Sequence, residues 1–249
     1  MKILVLVIAS DQSKQYIDMQ AVWRSRISPV DFDVWFVKSM SADMWIWSLY
    51  SDLKSDLKNN DKSVNNIGIC EDSRTIFVKQ DETFIPGILN KTVVALEYFL
   101  GRHEYTHVWR TNLSSVLDFD GLRLFLLSDV GRRCSYAGFY GVYDKIQNHP
   151  IHFVSGAGFL MIREAALYLV ANHSLVLSWD IIDDVAIGRL LCPVFGLTHI
   201  ERLWVKSVDD PIRDVLLDGI FHFRCNTHDH TNTLPLMRKV CEVIDFVAA

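Results

Sequence analysis

Apolar residues run almost without a break from Lys2 to Ala9, rich in Val, Ile and Leu. A strand inside a parallel sheet, covered on both faces, has that pattern. Ser10, Asp11, Gln12 and Ser13 follow and can cap a helix reaching Trp23 and Arg26. Asp33 to Lys38 predicts a second strand, Met40 to Leu57 a partly amphipathic helix, and the Asn-rich stretch Lys58 to Asn66 a loop. Arg74 to Val78 predicts a third strand. Pro86-Gly87 turns the chain into a helix over Leu89 to Leu100, and Tyr105 to Arg110 predicts a fourth strand.

Strand and helix thus alternate over the first part of the chain. That argues for a parallel sheet with crossover helices and an open, nucleotide-type cleft at the strand ends. Further on the pattern is mixed. Leu122 to Leu127 predicts a helix, Tyr136 to Val142 and His152 to Val154 predict strands, Ala165 to Ala171 a helix opened by Glu164, and another helix starts near Asp183-Asp184. No internal repeat or low-complexity linker divides the chain. The expected fold class is a single compact α/β domain with a mixed, mainly parallel central sheet and flanking helices. Residues 1–115 would form a nucleotide-binding half and 116–249 an acceptor-binding half.

Composition narrows the classes. Half of the 249 residues are hydrophobic and 12% aromatic, which excludes a disordered tail, a collagen-like fibre and a small disulfide scaffold. With 25 basic and 30 acidic residues the net charge is −5, a poor match to a nucleic-acid binder. Five cysteines, Cys70, Cys134, Cys192, Cys225 and Cys241, are odd in number and far apart, so reduced thiols in a cytoplasmic protein are expected. The apolar run Ile3 to Ala9 is at the lower limit for a secretion signal and suits a buried first strand better. No apolar run approaches the ~20 residues that span a bilayer.

Four segments carry a likeness. Gly87-Ile88-Leu89-Asn90-Lys91-Thr92 precedes the strand Tyr105-Thr106-His107-Val108-Trp109-Arg110-Thr111. Then come Phe153-Val154-Ser155-Gly156-Ala157-Gly158-Phe159, Asp183-Asp184-Val185-Ala186-Ile187-Gly188, and Phe221-His222-Phe223-Arg224. In this order, across roughly positions 75 to 225, they resemble the GT-A (Rossmann-like) glycosyltransferases. The likeness is to the inverting β-1,3-galactosyltransferase and fringe-like group, and to the small, anchor-free enzymes of large algal viruses. It implies a nucleotide-sugar donor, a UDP-sugar, and a glycan acceptor, in the cytoplasm of the cell or of a viral host. No nucleic-acid partner is expected, and the chain would act as a monomer or small homo-oligomer.

The likeness also implies roles. Inverting transfer passes through an oxocarbenium-like state and needs one carboxylate to take the acceptor's proton. Asp184 would be that base, with Asp183 positioning the acceptor or a neighbouring group; both acids also suit the first turn of a helix. Ser155, Gly156, Ala157 and Gly158 would take the donor sugar or acceptor, or simply form a tight turn. His222 and Arg224 alternate along a strand and could clamp a diphosphate. Ala9, Ser10 and Asp11 end the first strand where base or ribose binds in such folds, and Asp81-Glu82 is a second candidate.

One departure stands out. Where the family carries Asp-x-Asp, which bridges a divalent ion (Mn or Mg) to the diphosphate, this chain has Arg110-Thr111-Asn112-Leu113-Ser114-Ser115. Asn and Ser are poor ligands for a hard cation. In one reading Asn112, Ser114 and Ser115 bond the nucleotide, and a cation such as Arg224 or Lys91 neutralises charge. In the other, Asp118 and Asp120, with His222, hold a displaced metal ion, although the two acids also suit a helix cap. His228-Asp229-His230 has metal-ligand spacing but lies among loop residues. Two other functions stay open: a binding module on a degenerate scaffold, and a nucleotidyltransferase, which lacks its glycine-rich phosphate loop.

Overall fold

In the computed structural model, which describes residues 1–26, 29–41, 67–144, 150–225 and 232–248, the first apolar run is β1 (Ile3–Ile8), buried along its whole length. Helix α1 (Lys14–Ser25) follows, capped by Ser13, whose Oγ accepts the Tyr16 N–H at 3.2 Å. Next come β2 (Phe32–Met40), β3 (Ile67–Cys70), β4 (Thr75–Lys79), α2 (Gly87–Leu100) and β5 (His107–Asn112). β1 pairs in parallel with β2 and β5, and β2 with β4, as alternating strands and helices require. β3 closes that edge antiparallel to β4.

The remaining chain adds β6 (Ser115–Leu117), α3 (Phe119–Leu127), β7 (Tyr136–Tyr143), β8 (Ile151–Ile162), α4 (Arg163–Ala171), α5 (His173–Leu177) and α6 (Asp183–Phe195). After these come β9 (Thr198–His199), β10 (Leu203–Val205), α7 (Ile212–Leu217), β11 (His222–Cys225) and α8 (Thr233–Ala248). β8 lies antiparallel to β5, β7 antiparallel to β8, and β9 parallel to β7. Among the described residues the result is one mixed eight-stranded sheet in the order β3-β4-β2-β1-β5-β8-β7-β9, shared by both parts of the chain. A small second sheet, β10-β11-β6, leans against it.

Alternation along β1 explains the two cores. Ile3, Val5 and Val7 point to one face and pack with Met19, Trp23, Trp109, Leu122, Phe223 and Met237 under α1, α3 and α8. Leu4, Leu6 and Ile8 point to the other and pack with Val93, Leu96, Phe99, Ala166 and Ile187 under α2, α4 and α6. No helix among the described residues is long and apolar enough to cross a membrane.

Some expectations shift. The helix expected from Met40 overlaps the end of β2, and its remainder and the loop to Asn66 lie outside the described residues, as does His228-Asp229-His230. The strand expected at Tyr105 begins at His107 and reaches Asn112. The strand expected at His152 to Val154 runs on through Ser155–Gly158 to Ile162, so those residues are strand, not turn. The glycines have another reason to be there. A Cβ on Gly158 would stand 2.7 Å from the His222 ring and 2.8 Å from Trp109, and one on Gly156 2.9 Å from Arg110 Nη1. Glycine in a strand marks such close passages.

Candidate active site

The parallel strands β1 and β5 end side by side, and two cavities open where they end. One, of about 290 Å³, lies over Ile8, Ala9 and Ser10 at the end of β1, with Lys91, Asn112, Leu113, Ser114 and Arg224 around it. The other, of about 250 Å³, is lined by Arg110, Ser155, Gly156, Ala157, Asp183, Asp184, Arg202 and Trp204. Phe84, Ile88, Asn112 and Arg224 line both, so the two are halves of one cleft. Its place at the carboxyl ends of parallel strands is where α/β sheets bind ligands.

Arg110 organises the second half. Alternation along β5 turns its side chain and that of Asn112 to the same side. It is 1% exposed; Nη2 meets Asp183 Oδ2 at 2.5 Å, and Nη1 donates to Asn112 Oδ1 at 3.1 Å and to the Gly156 carbonyl. Asp183 and Asp184 open α6, where backbone N–H groups favour acids. Asp184 Oδ2 accepts the Gly156 N–H at 2.8 Å and Oδ1 the Val185 N–H at 3.0 Å. Burial, then the neighbouring Asp183 charge, raises the Asp184 pKa above the ordinary carboxylate value in spite of those bonds.

Two more arginines reach the cleft. Arg224, on β11, donates from Nη1 to Ser114 Oγ at 2.5 Å. Burial and the charges of Arg202 and Arg110 lower its pKa to about 10, which leaves it charged at neutral pH. Arg202 donates to Ser155 Oγ at 2.8 Å and lies over the Phe139 ring at 4.3 Å and the Trp204 ring at 5.7 Å. Among the described residues neither guanidinium forms an ion pair with a carboxylate. Lys91 differs. Its Nζ donates to the Ala9 carbonyl at 3.0 Å and pairs with Glu82 at 2.5 Å, so its charge is already matched.

Other residues singled out by sequence lie elsewhere. Asp11 is held by Lys38 at 2.8 Å and Gln20 at 2.9 Å and lines neither cavity. Asp81 is exposed and also outside both, whereas its neighbour Glu82 lines the first. Ser115 turns away to donate to the Ala157 carbonyl at 2.8 Å, as does Thr111 at 2.7 Å. The Leu113 carbonyl accepts Trp23 Nε1–H at 3.0 Å, which fixes the chain between Asn112 and Ser114.

His222 and Gly158 pack against each other behind the cleft and line neither cavity. Burial, then the charges of Arg202 and Arg224, pushes the His222 pKa down to about 3, so its ring is neutral. The displaced metal site does not form from the acids named for it. Asp118 caps α3, accepting the Asp120 and Gly121 N–H groups at 3.2 and 3.1 Å, and Asp120 pairs with Arg123 at 2.9 Å. Both acids and His222 lie outside the cleft, and no group of three or more His, Cys, Asp or Glu among the described residues could hold a metal ion.

No protein-family model and no curated protein matches the sequence. Solved structures with a similar chain path include the galactosyltransferase LgtC in complex with donor and acceptor sugar analogs: 10% identity, 98% of this chain and 95% of that chain, TM-score 0.47. A glycosyltransferase involved in the glycosylation of the major capsid of PBCV-1 is 8% identical over 96% of this chain and 99% of that one, TM-score 0.47. The glycosyltransferase GlyE of Streptococcus pneumoniae TIGR4 is 8% identical over 99% of this chain and 63% of that one, TM-score 0.47. At such identities and scores the likeness carries no assignment of substrate or residue.

Sequence reasoning missed Arg202, Trp204, Phe84 and Ile88, which all line the cleft. Arg202 lies in the short link from β9 to β10 and Trp204 inside β10, and strands of two and three residues are too short for any periodicity to mark. Phe84 lies in the irregular chain before α2. Only the bare presence of an Arg two residues before a Trp could have raised the question.

Proposed function

We propose that this chain is an inverting, GT-A-like glycosyltransferase that moves a sugar from a UDP-sugar to a hydroxyl of a glycan. One observation carries the reading: the Asp184 carboxyl, made more basic by its surroundings, lines the same continuous cleft as Arg224, which faces both cavities. In this reading the nucleoside occupies the half at the end of β1 and the sugar lies beside Gly156 and Ala157. The diphosphate lies at the junction, against Arg224.

The chemistry then runs as follows. Asp184 takes the proton from the acceptor hydroxyl as its oxygen bonds to the anomeric carbon. The carbon's bond to the diphosphate oxygen breaks on the opposite side, and the electron pair leaves with the diphosphate. A base tuned toward neutral pH suits the first event, and donors fixed in advance suit the last. Arg110, in the wall of the sugar half, contributes by holding Asp183, Asn112 and Gly156 in place.

The test is release of UDP from UDP-sugars, with and without glycan acceptors, by the parent chain and by Asp184→Asn. The variant should bind UDP as the parent does and lose about 10²–10⁴ in transfer rate. Full transfer by the variant rejects Asp184 as the base; UDP binding with no transfer to any acceptor would favour a binding module instead.

A further inference from the structure

The donor set around Asn112 runs against a divalent ion. Hard cations take carboxylates first. Of the acids at the cleft, Asp183 is bound to Arg110, Glu82 to Lys91, and both Asp184 oxygens accept backbone N–H groups. Asn112 Oδ1 accepts from Arg110, and Ser114 Oγ from Arg224. Oxygens already taken up by cationic side chains and backbone N–H groups do not fit a metal site.

Two guanidinium groups fit an anion instead. Arg224 is held by Ser114, and Arg202 by Ser155 and the Phe139 ring; among the described residues neither makes an ion pair with a carboxylate, and only Arg202 feels a nearby carboxylate charge, that of Asp184. Burying like charges near each other is unfavourable until an anion joins them. The arginine fork offers two parallel N–H bonds to phosphate oxygens. The other two cations of the cleft are already matched, Lys91 by Glu82 and Arg110 by Asp183.

We propose that Arg202 and Arg224 form a clamp for the donor diphosphate in place of a divalent ion, so that nucleotide binding and sugar transfer need no metal. This rests on the nucleotide-sugar reading of the cleft. In transfer, the negative charge left on the departing diphosphate is matched by the two guanidinium groups, while the acceptor's proton resides on Asp184. The clamp itself makes and breaks no covalent bond.

Calorimetric titration of the full chain with UDP, GDP, dTDP and inorganic pyrophosphate, in excess EDTA and again with Mn²⁺ or Mg²⁺, tests it. At least one diphosphate should bind in EDTA with a Kd within about threefold of its value with metal. Arg202→Ala and Arg224→Ala should each weaken that binding about 10- to 100-fold. Arg202→Lys and Arg224→Lys, which keep the charge, should weaken it less, and they give the reading if an Ala variant fails to fold. Binding seen only with metal, or unchanged by all four substitutions, overturns the clamp and leaves the glycosyltransferase reading intact. No binding of any of the four ligands under either condition overturns both.

Discussion

Arg110 and Asp183 form an ion pair buried at both ends: 2.5 Å between Nη2 and Oδ2, with side chains 1% and 9% exposed. It ties β5 to the start of α6 across one wall of the cleft. Removing one partner of such a pair strands the other charge, at about 3–5 kcal/mol, whereas removing both is often far milder. Asp183→Ala should therefore lower urea-unfolding stability by about that amount, and Asp183→Ala with Arg110→Met by less. A single-variant loss of only about 0.5 kcal/mol, ordinary for a surface substitution, would show that the pair is not what joins these elements.

Next to the pair, Asp184 sets a pH dependence. Burial and then Asp183 raise its pKa above the usual carboxylate value. As a base it must be ionised, so kcat/KM should fall on the acid side with a midpoint above the ~3.9 of a free aspartate. The same raised pKa makes ionisation unfavourable to the fold, so Asp184→Asn should be relatively more stable as pH rises through that midpoint. An acid limb at or below the free-aspartate value argues that a different group takes the proton.

Much of this was legible from the chain, and the reasons differ by residue. The unbroken apolar run of β1 and the helical spacing in α2 are direct records of burial on two faces and on one, so the parallel part of the sheet could be read. Asp183-Asp184 announced a helix start because a helix end favours acids whatever else they do. The glycines of β8 left two readings, a sugar-binding segment or a tight turn; the strand continues, so the turn falls, and Gly156 and Gly158 admit the side chains of Arg110 and His222 across it. His222 and Arg224 do alternate on β11, but one end of that strand is covered by Gly158 and Trp109 while the other opens onto the cleft. Periodicity assigns a face; only tertiary packing says whether that face meets solvent. Asp118 and Asp120 show the same limit, since capping and metal binding ask for identical residues.

The close passage at Gly158 is itself testable. A methyl there would sit 2.7 Å from His222 Nε2 and 2.8 Å from Trp109 Cζ2, both in rigid, buried rings. Overpacking of this kind costs about 1–3 kcal/mol. Gly158→Ala should lose that much in denaturant unfolding. The same change at Gly138, where the nearest atom is 3.0 Å away, should cost less. Equal losses at both would mean that His222 and Trp109 move aside freely.

His222 also gives the fold an acid sensitivity. Its pKa falls from 6.5 to about 3, through burial first and the charges of Arg202 and Arg224 second, and its Nε2 has no partner among the described residues. The folded state therefore refuses a proton that the unfolded state accepts. The contribution of the neutral ring is complete above the unfolded value near 6.5 and is lost progressively as pH falls toward the folded value near 3. For one group the slope approaches about 1.4 kcal/mol per pH unit inside that window. His222→Gln, which removes the titration while keeping a polar side chain of similar size, should flatten the stability profile between about pH 6 and pH 4 relative to the parent. Parallel profiles for the two proteins across that window would place the acid sensitivity in another group.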